Sequence, residues 1–183
     1  MKRLLFVIIA LVSLASCDTN DTKQCESSTE LRQEAISDYL VKVVGEDYLK
    51  GEVCIPAIMI VAEENADSAQ SQYYGDFWVF WYNIAGDTLK TVSGGNHSGC
   101  MALCRQNGTF KVTGFEQTVD GAGNEASAKQ IFGEHYDVYR KTHSNEDMRE
   151  TARKEQLQDF VKRNGLNVNY YQDYGWPAVT LFK

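Results

Sequence analysis

The stretch Phe77–Ile84, FWVFWYNI, restricts the folds open to this chain more than any other. Its aromatic and β-branched residues favour a strand, in which successive side chains point to opposite faces. A strand with one wet face alternates apolar and polar residues. Here Phe77, Val79 and Trp81 would line one face while Trp78, Phe80 and Tyr82 line the other. Two solutions exist: helices cover both faces of the sheet, or one aromatic face stays open as a contact surface. On the second, flat rings with polar edges suit a sugar or a protein hot spot. The binding candidates are then Trp78, Tyr82 and, in the aromatic tail, Trp176.

The flanking sequence supplies partners for such a strand. Val53–Val61, VCIPAIMIV, is apolar and β-prone, and Pro56, which cannot donate a ladder hydrogen bond, marks it as an edge or bulged strand. Residues 63–75 read as a polar loop. Ala85-Gly86-Asp87 reads as a tight turn leading into the strand TLKTVSGG. The strands CMALCRQ and TFKVTGFEQTV flank Asn107-Gly108, a type I′ hairpin signal.

Helical periodicity occurs on both sides of this meander. Ser27 and Glu30 have capping-box spacing, and Leu31, Ala35, Ile36, Tyr39, Leu40, Val43 and Val44 form an apolar stripe ending near Gly45. Beyond Asp120-Gly121-Ala122-Gly123, with Asn124 as cap, Ala128, Ile131, Phe132, His135 and Tyr139 share a helix face. A second helix follows Ser144, with Glu146 and Asp147 in its first turn. Its apolar side is Met148, Ala152, Leu157, Phe160 and Val161, and Lys162, Arg163 and Gly165 mark its end. In the extended tail Pro177 opens a last strand. The expected fold class is α+β: an antiparallel β-meander packed against one N-terminal helix and two C-terminal helices.

At the N-terminus, Lys2 and Arg3 precede an apolar run from Leu4 to Ala15, the charged and hydrophobic regions of a secretory signal. A membrane-spanning helix needs roughly 20 apolar residues, more than this run supplies. Leu14-Ala15-Ser16-Cys17 resembles a bacterial lipobox. The resemblance implies removal of residues 1–16, acylation of Cys17 and a lipid bilayer as partner. Residues 17–26 would then be a lipidated tether and 27–183 a single globular domain. Asp18 resembles the inner-membrane retention signal of enterobacteria. Asp67-Ser68-Ala69 and Asp87-Thr88-Leu89 resemble the tripeptide that Bacteroides-type bacteria O-glycosylate outside the cytoplasm. GDFWVFWYN, GDTLKTVSGG and YQDYGWPAV resemble segments of small lipoproteins of those bacteria, across most of the mature chain. Together these imply the cell envelope and, by lineage, the outer membrane.

A helix before a curved meander also resembles the cystatin and NTF2-like folds, and Gln117–Gly121 matches the cystatin pattern QxVxG. In cystatins that pattern joins two strands and a Pro-Trp pair follows. Here it leads towards a helix and the late pair is reversed, Trp176-Pro177, so the reading is a strand end with an Asp-Gly turn.

Charge and cysteine narrow the function. The signal takes Lys2 and Arg3 from the 18 basic residues and nothing from the 25 acidic ones, so the balance of −7 becomes −9. That opposes nucleic acid as a partner. Cys25, Cys54, Cys100 and Cys104 remain. If residues around 100–104 form a strand, that pair lies roughly 13 Å apart, too far to bond. Cys54 would then pair with one of them and Cys25 with the other, or all stay buried thiols. His97, Cys100 and Cys104 would suit zinc only if residues 98–106 were helical. His135 is either a buried base or a packed imidazole. No spacing supplies a nucleophile, base and orienting group, and no cofactor or metal is expected. The expected function is a membrane-anchored binding or accessory module for a protein or glycan, as an immunity protein would be. The alternative is a small envelope hydrolase with its pocket at the mouth of the curved sheet.

Overall fold

A computed structural model describes residues 19–65 and 69–182, with side chains from residue 28 onward. Cys17, the signal segment, Asp67 and Ser68 lie outside the described residues, as does the side chain of Cys25. Helix α1 (Thr19–Lys42) ends in a 3₁₀ turn, Val44–Asp47. Strands β1 (Val53–Asn65), β2 (Gln70–Ala85), β3 (Thr88–Gln106) and β4 (Thr109–Gln117) follow. Helices α2 (Asn124–Phe132) and α3 (Tyr136–His143) are joined by the 3₁₀ turn Gly133–His135. Helix α4 (Glu146–Arg163), β5 (Tyr170–Gln172) and β6 (Val179–Thr180) complete the order. The fold is α+β, as expected.

The sheet runs β1-β2-β3-β5-β6, with β4 also paired to β3. All pairings are antiparallel except β3 with β5. Because β2 occupies one side of β3, the other side is shared: Thr88–Lys90 pair with β5 and Gly99–Gln106 with β4. β1 is an edge strand, a position that accommodates Pro56 and matches the reading of VCIPAIMIV, and its register with β2 shifts further along, between Ile60 and Ala62.

FWVFWYNI takes the covered solution. On one face Tyr73, Phe77 and Val79 pack with Ile36, Leu40 and Val44 of the α1 region. On the other, Phe80 and Tyr82 pack under Leu157 and Val161 of α4, while Tyr74 meets Ala128, Phe132 and Tyr139 of α2 and α3. Each large side chain so enclosed contributes about 1.5–3 kcal/mol, and both faces are needed to collect it.

Four local expectations change. The polar loop of residues 63–75 is mostly strand, since β1 runs to Asn65 and β2 starts at Gln70. Ladder hydrogen bonds need no apolar side chain, and Ser71 and Tyr73 are buried there. TLKTVSGG and CMALCRQ are one strand, β3, with Gly94 and Gly95 inside it. A Cβ on Gly94 would meet the Val79 carbonyl oxygen, and one on Gly95 the Tyr48 hydroxyl, so these glycines admit close neighbours rather than a break. Helix α1 begins at Thr19, so Ser27 lies inside it and part of the expected tether is helical. Asn124 does not cap α2; its amide donates to the Val119 carbonyl at 3.1 Å and ties the helix to the end of the sheet.

Candidate functional site

The residues read as binding candidates do not share a surface. Tyr82 is fully buried, its hydroxyl accepting from Arg153 Nε at 2.9 Å, so it is not available for contact. Trp78 is half-buried, stacked on Phe80 with ring centroids 5.8 Å apart, and the Arg149 guanidinium lies 5.0 Å from its ring. The reason is common to both: α4 lays its arginines over the aromatic face that sequence alone left undecided. Trp176 is different, 72% exposed, and beside it Tyr174 is 97% exposed.

These two rings stand on a pinned turn. Arg153 of α4, only 3% exposed, donates from Nη1 and Nη2 to Asp173 Oδ2 and Oδ1 at 2.8 and 2.7 Å, a bidentate pair. Its Nη2 also donates to Thr91 Oγ1, which donates to Asp173 Oδ1 at 2.6 Å. The guanidinium lies 4.0 Å from the centroid of Phe80. The hydrogen bond from Arg153 holds Asp173 below the ordinary carboxylate value, although its burial opposes this. From Asp173 the chain turns through Gly175, at φ +79°, with Trp176 N donating to Asp173 O and Gln172 Nε2 to Trp176 O. A shallow cleft of about 210 Å³ adjoins the turn, lined by Lys90, Thr91, Gln172, Asp173, Tyr174 and Gly175. It is small for a whole organic ligand, for which roughly 300 Å³ is the lower end, and suits one sugar ring or one side chain.

A second polar centre lies under the C-terminal helices. Asp76, fully buried in β2, accepts through Oδ1 from Asn96 Nδ2, from Ser98 Oγ at 2.6 Å and from His143 Nδ1 at 3.2 Å. Burial works against its charged form. The hydrogen bonds from His143, Ser98 and Asn96 outweigh that and lower its pKa. The hydrogen bond to Asp76 raises that of His143, partly offset by burial, and this side chain is 41% exposed. An imidazole oriented by a buried carboxylate is half of a base-catalysed site. The other half is not beside it: Ser98 is itself buried and spends its proton on the same carboxylate.

The remaining candidates separate by face. Phe77 pairs with His97 and Trp81 with Cys54, so both partners face α1. Tyr74 pairs with Cys100 and Gln70 with Cys104, on the opposite face. The zinc set is therefore split by the sheet, and Cys54 can reach neither of the others; all three are free thiols. Burial pushes the Cys54 and Cys100 thiols up to about 11, the direction of unreactive sulfur. His97 is a structural link, 2.8 Å from the Tyr48 hydroxyl through Nε2 and 2.7 Å from Gln117 Oε1 through Nδ1. Gln117, the start of the QxVxG match, ends β4 ahead of α2, as read. Of the tripeptide Asp87-Thr88-Leu89, Leu89 is fully buried. His135 is a packed imidazole: it sits in the turn between α2 and α3, against the Tyr74 ring and 2.8 Å from Glu64 Oε1. Together with Glu134 these two form the only three-ligand set for a metal ion among the described residues.

Sequence reasoning missed Asp76, His143 and Arg153, and placed Glu64 in a solvated loop where the structure has it in β1. Two carried a signal. Asp76 is a lone acid in an apolar strand, and Arg153 stands four residues before Leu157 and eight before Val161, on the apolar stripe of α4. Buried charges require partners, so each pointed to a network. No protein-family model, curated protein or solved structure matches this chain.

Proposed function

We propose that the chain is an envelope lipoprotein, anchored through acylated Cys17, that works as a non-catalytic binding module. Its contact element is the Tyr174–Trp176 turn and the partner is a glycan or a protein of the envelope. The observation that carries this reading is the exposure of two large aromatic rings on a turn held by a buried Arg–Asp pair. Exposed rings bind best when their ordering cost is already met, and bidentate pairing of Asp173 meets it here. Lys90 and the side-chain carbonyl of Gln172, which line the cleft beside the turn, supply hydrogen-bonding groups that a sugar needs in addition to stacking. The net negative charge argues against nucleic acid as the occupant.

The test is a glycan array probed with the detergent-extracted chain, together with photo-crosslinking from position 174 in intact envelopes. Tyr174→Ala/Trp176→Ala should abolish glycan signal and crosslinked product while leaving the thermal melt unchanged. Capture that survives the double substitution refutes the turn as the contact element.

One observation favours hydrolysis as a second reading: His143 is oriented by Asp76 and half accessible. Against it, the cleft of about 300 Å³ between the hairpin ends is lined by Gln70, Ser71, Gln72, Ala102, Leu103, Cys104 and Thr113, with no acid–base pair. An ester or amide hydrolysis that disappears in His143→Ala and persists in Tyr174→Ala/Trp176→Ala would establish this reading over binding.

A further inference from the structure

We propose that Glu64, Glu134 and His135 bind one divalent transition-metal ion. Their ligand atoms lie within 4.8 Å of one another. They come from opposite layers: Glu64 from β1, and Glu134 with His135 from the turn between α2 and α3. An imidazole with two carboxylates suits zinc, cobalt or manganese, and three protein ligands leave positions for water.

Three features argue for a ligand rather than a chance ion pair. First, neighbouring acids have basic partners: Glu63 pairs with Arg32, Glu125 with Lys129 and Asp137 with Arg140. Among the described residues neither Glu64 nor Glu134 has a lysine or arginine within ion-pair distance, and the imidazole is the only base beside Glu64. Second, the imidazole is held: its ring centroid lies 5.0 Å from that of Tyr74, and its side chain is only 22% exposed. The Tyr74 hydroxyl donates to Gln72 Oε1 at 2.9 Å and reaches Glu64 Oε2 at 3.5 Å, the outer-shell support that orients a ligating carboxylate. Third, backbone geometry sets the pieces. The register shift at Ile60/Ala62 puts Glu64 across from Gln72, on the face of Tyr74, while Gly133, at φ +50°, ends α2 and starts the turn that carries both other ligands.

An ion there would clip β1 to a turn 71 residues further along the chain. The site is separate from the Tyr174–Trp176 turn. Asp173 binds Thr91, which pairs with Tyr82, whereas Glu64 pairs with Gln72, about 30 Å away along β2.

The test is titration of the chelator-stripped full chain in detergent with Co²⁺, read by absorbance and by thermal melting. One Co²⁺ per chain is expected, without a thiolate charge-transfer band and with a Tm that rises with the logarithm of free metal. Glu64→Gln, Glu134→Gln and His135→Gln should each weaken binding by at least ~10-fold with unchanged metal-free melts, and His97→Gln should not. If one of them fails to fold, the other two carry the comparison. No saturable binding, a thiolate band, or full binding in Glu64→Gln and His135→Gln would overturn the proposal.

Discussion

At the scale of single residues, Asp76 and His143 give the molecule a definite pH response. The His143 pKa is raised above its usual 6.5, so its pairing adds stability that is complete below about pH 6.5 and is lost as pH rises through the folded value. Asp76 is depressed below its usual 3.8, so its share is present above about pH 4 and is lost as pH falls through the still lower folded value. Stability should therefore peak in mildly acidic solution. Urea midpoints measured from pH 5 to 9 should begin to decline above about pH 6.5 for the native chain, and that decline should be missing in His143→Gln. The amplitude shrinks in added salt, because His143 is partly exposed. A second residue-scale outcome concerns fluorescence. Trp78 and Trp81 are half-buried and Trp81 donates to the Gly45 carbonyl at 2.9 Å, whereas Trp176 is open. Acrylamide should quench chiefly Trp176, and Trp176→Phe should remove most of the accessible signal with a stability change under ~0.5 kcal/mol. An unchanged accessible fraction would mean that the turn is covered.

At the scale of elements, α4 decides what the aromatic strand becomes. Its Arg149 and Arg153 lie over Trp78 and Phe80, and its Leu157 and Val161 close the core beneath. Arg153→Ala leaves Asp173 with Thr91 alone and uncovers the rings of Phe80, Tyr82 and Tyr171, so it should cost about 3 kcal/mol, the lower end for a buried pair because Asp173 is partly exposed. Arg153→Lys should recover little, since an ammonium cannot make the bidentate pair. In both variants carboxypeptidase should remove the tail beyond Asp173 faster than in the native chain; equal rates would show that the tail is held otherwise. The same elements show what the sequence could reveal. Alternation in FWVFWYNI limited the fold to a sheet covered on both faces or open on one, and the stripe from Leu31 to Val44 supplied one cover. The C-terminal helical stretches were legible from Ala128 to Tyr139 and from Met148 to Val161, although the first, read as one helix, is broken at Gly133 into α2 and α3, with His135 in the turn between them. Their placement over Trp78 and Tyr82 was not, because local period says which face of a helix is apolar and nothing about which sheet face receives it. The same limit hid the Asp76–His143 contact, which spans 67 residues. β3 was misread for a different reason: Gly94 and Gly95 resemble a break in one dimension and prove to be a close approach in three.

At the scale of the whole molecule, α1 gives the domain a direction. Near its middle Arg32 pairs with Glu63, opposite Tyr73, while the turn that follows the helix accepts a hydrogen bond from Trp81. The helix therefore runs along the strands, and its N-terminal half points away from the end where Arg153 holds the tail. Thr19 to Lys42 spans about 36 Å of helix. If Cys17 is the anchor, the bilayer lies beyond the start of α1, and the turn with Tyr174 and Trp176 is presented well clear of it. Native chain reconstituted in vesicles should thus keep its Trp176 emission when nitroxide-labelled lipids are included, while aqueous acrylamide still quenches it. Cys17→Ser should leave the domain folded and unbound to the same vesicles. Quenching of Trp176 by the labelled lipid, together with vesicle binding by Cys17→Ser, would reverse the orientation and make the aromatic turn itself a membrane contact.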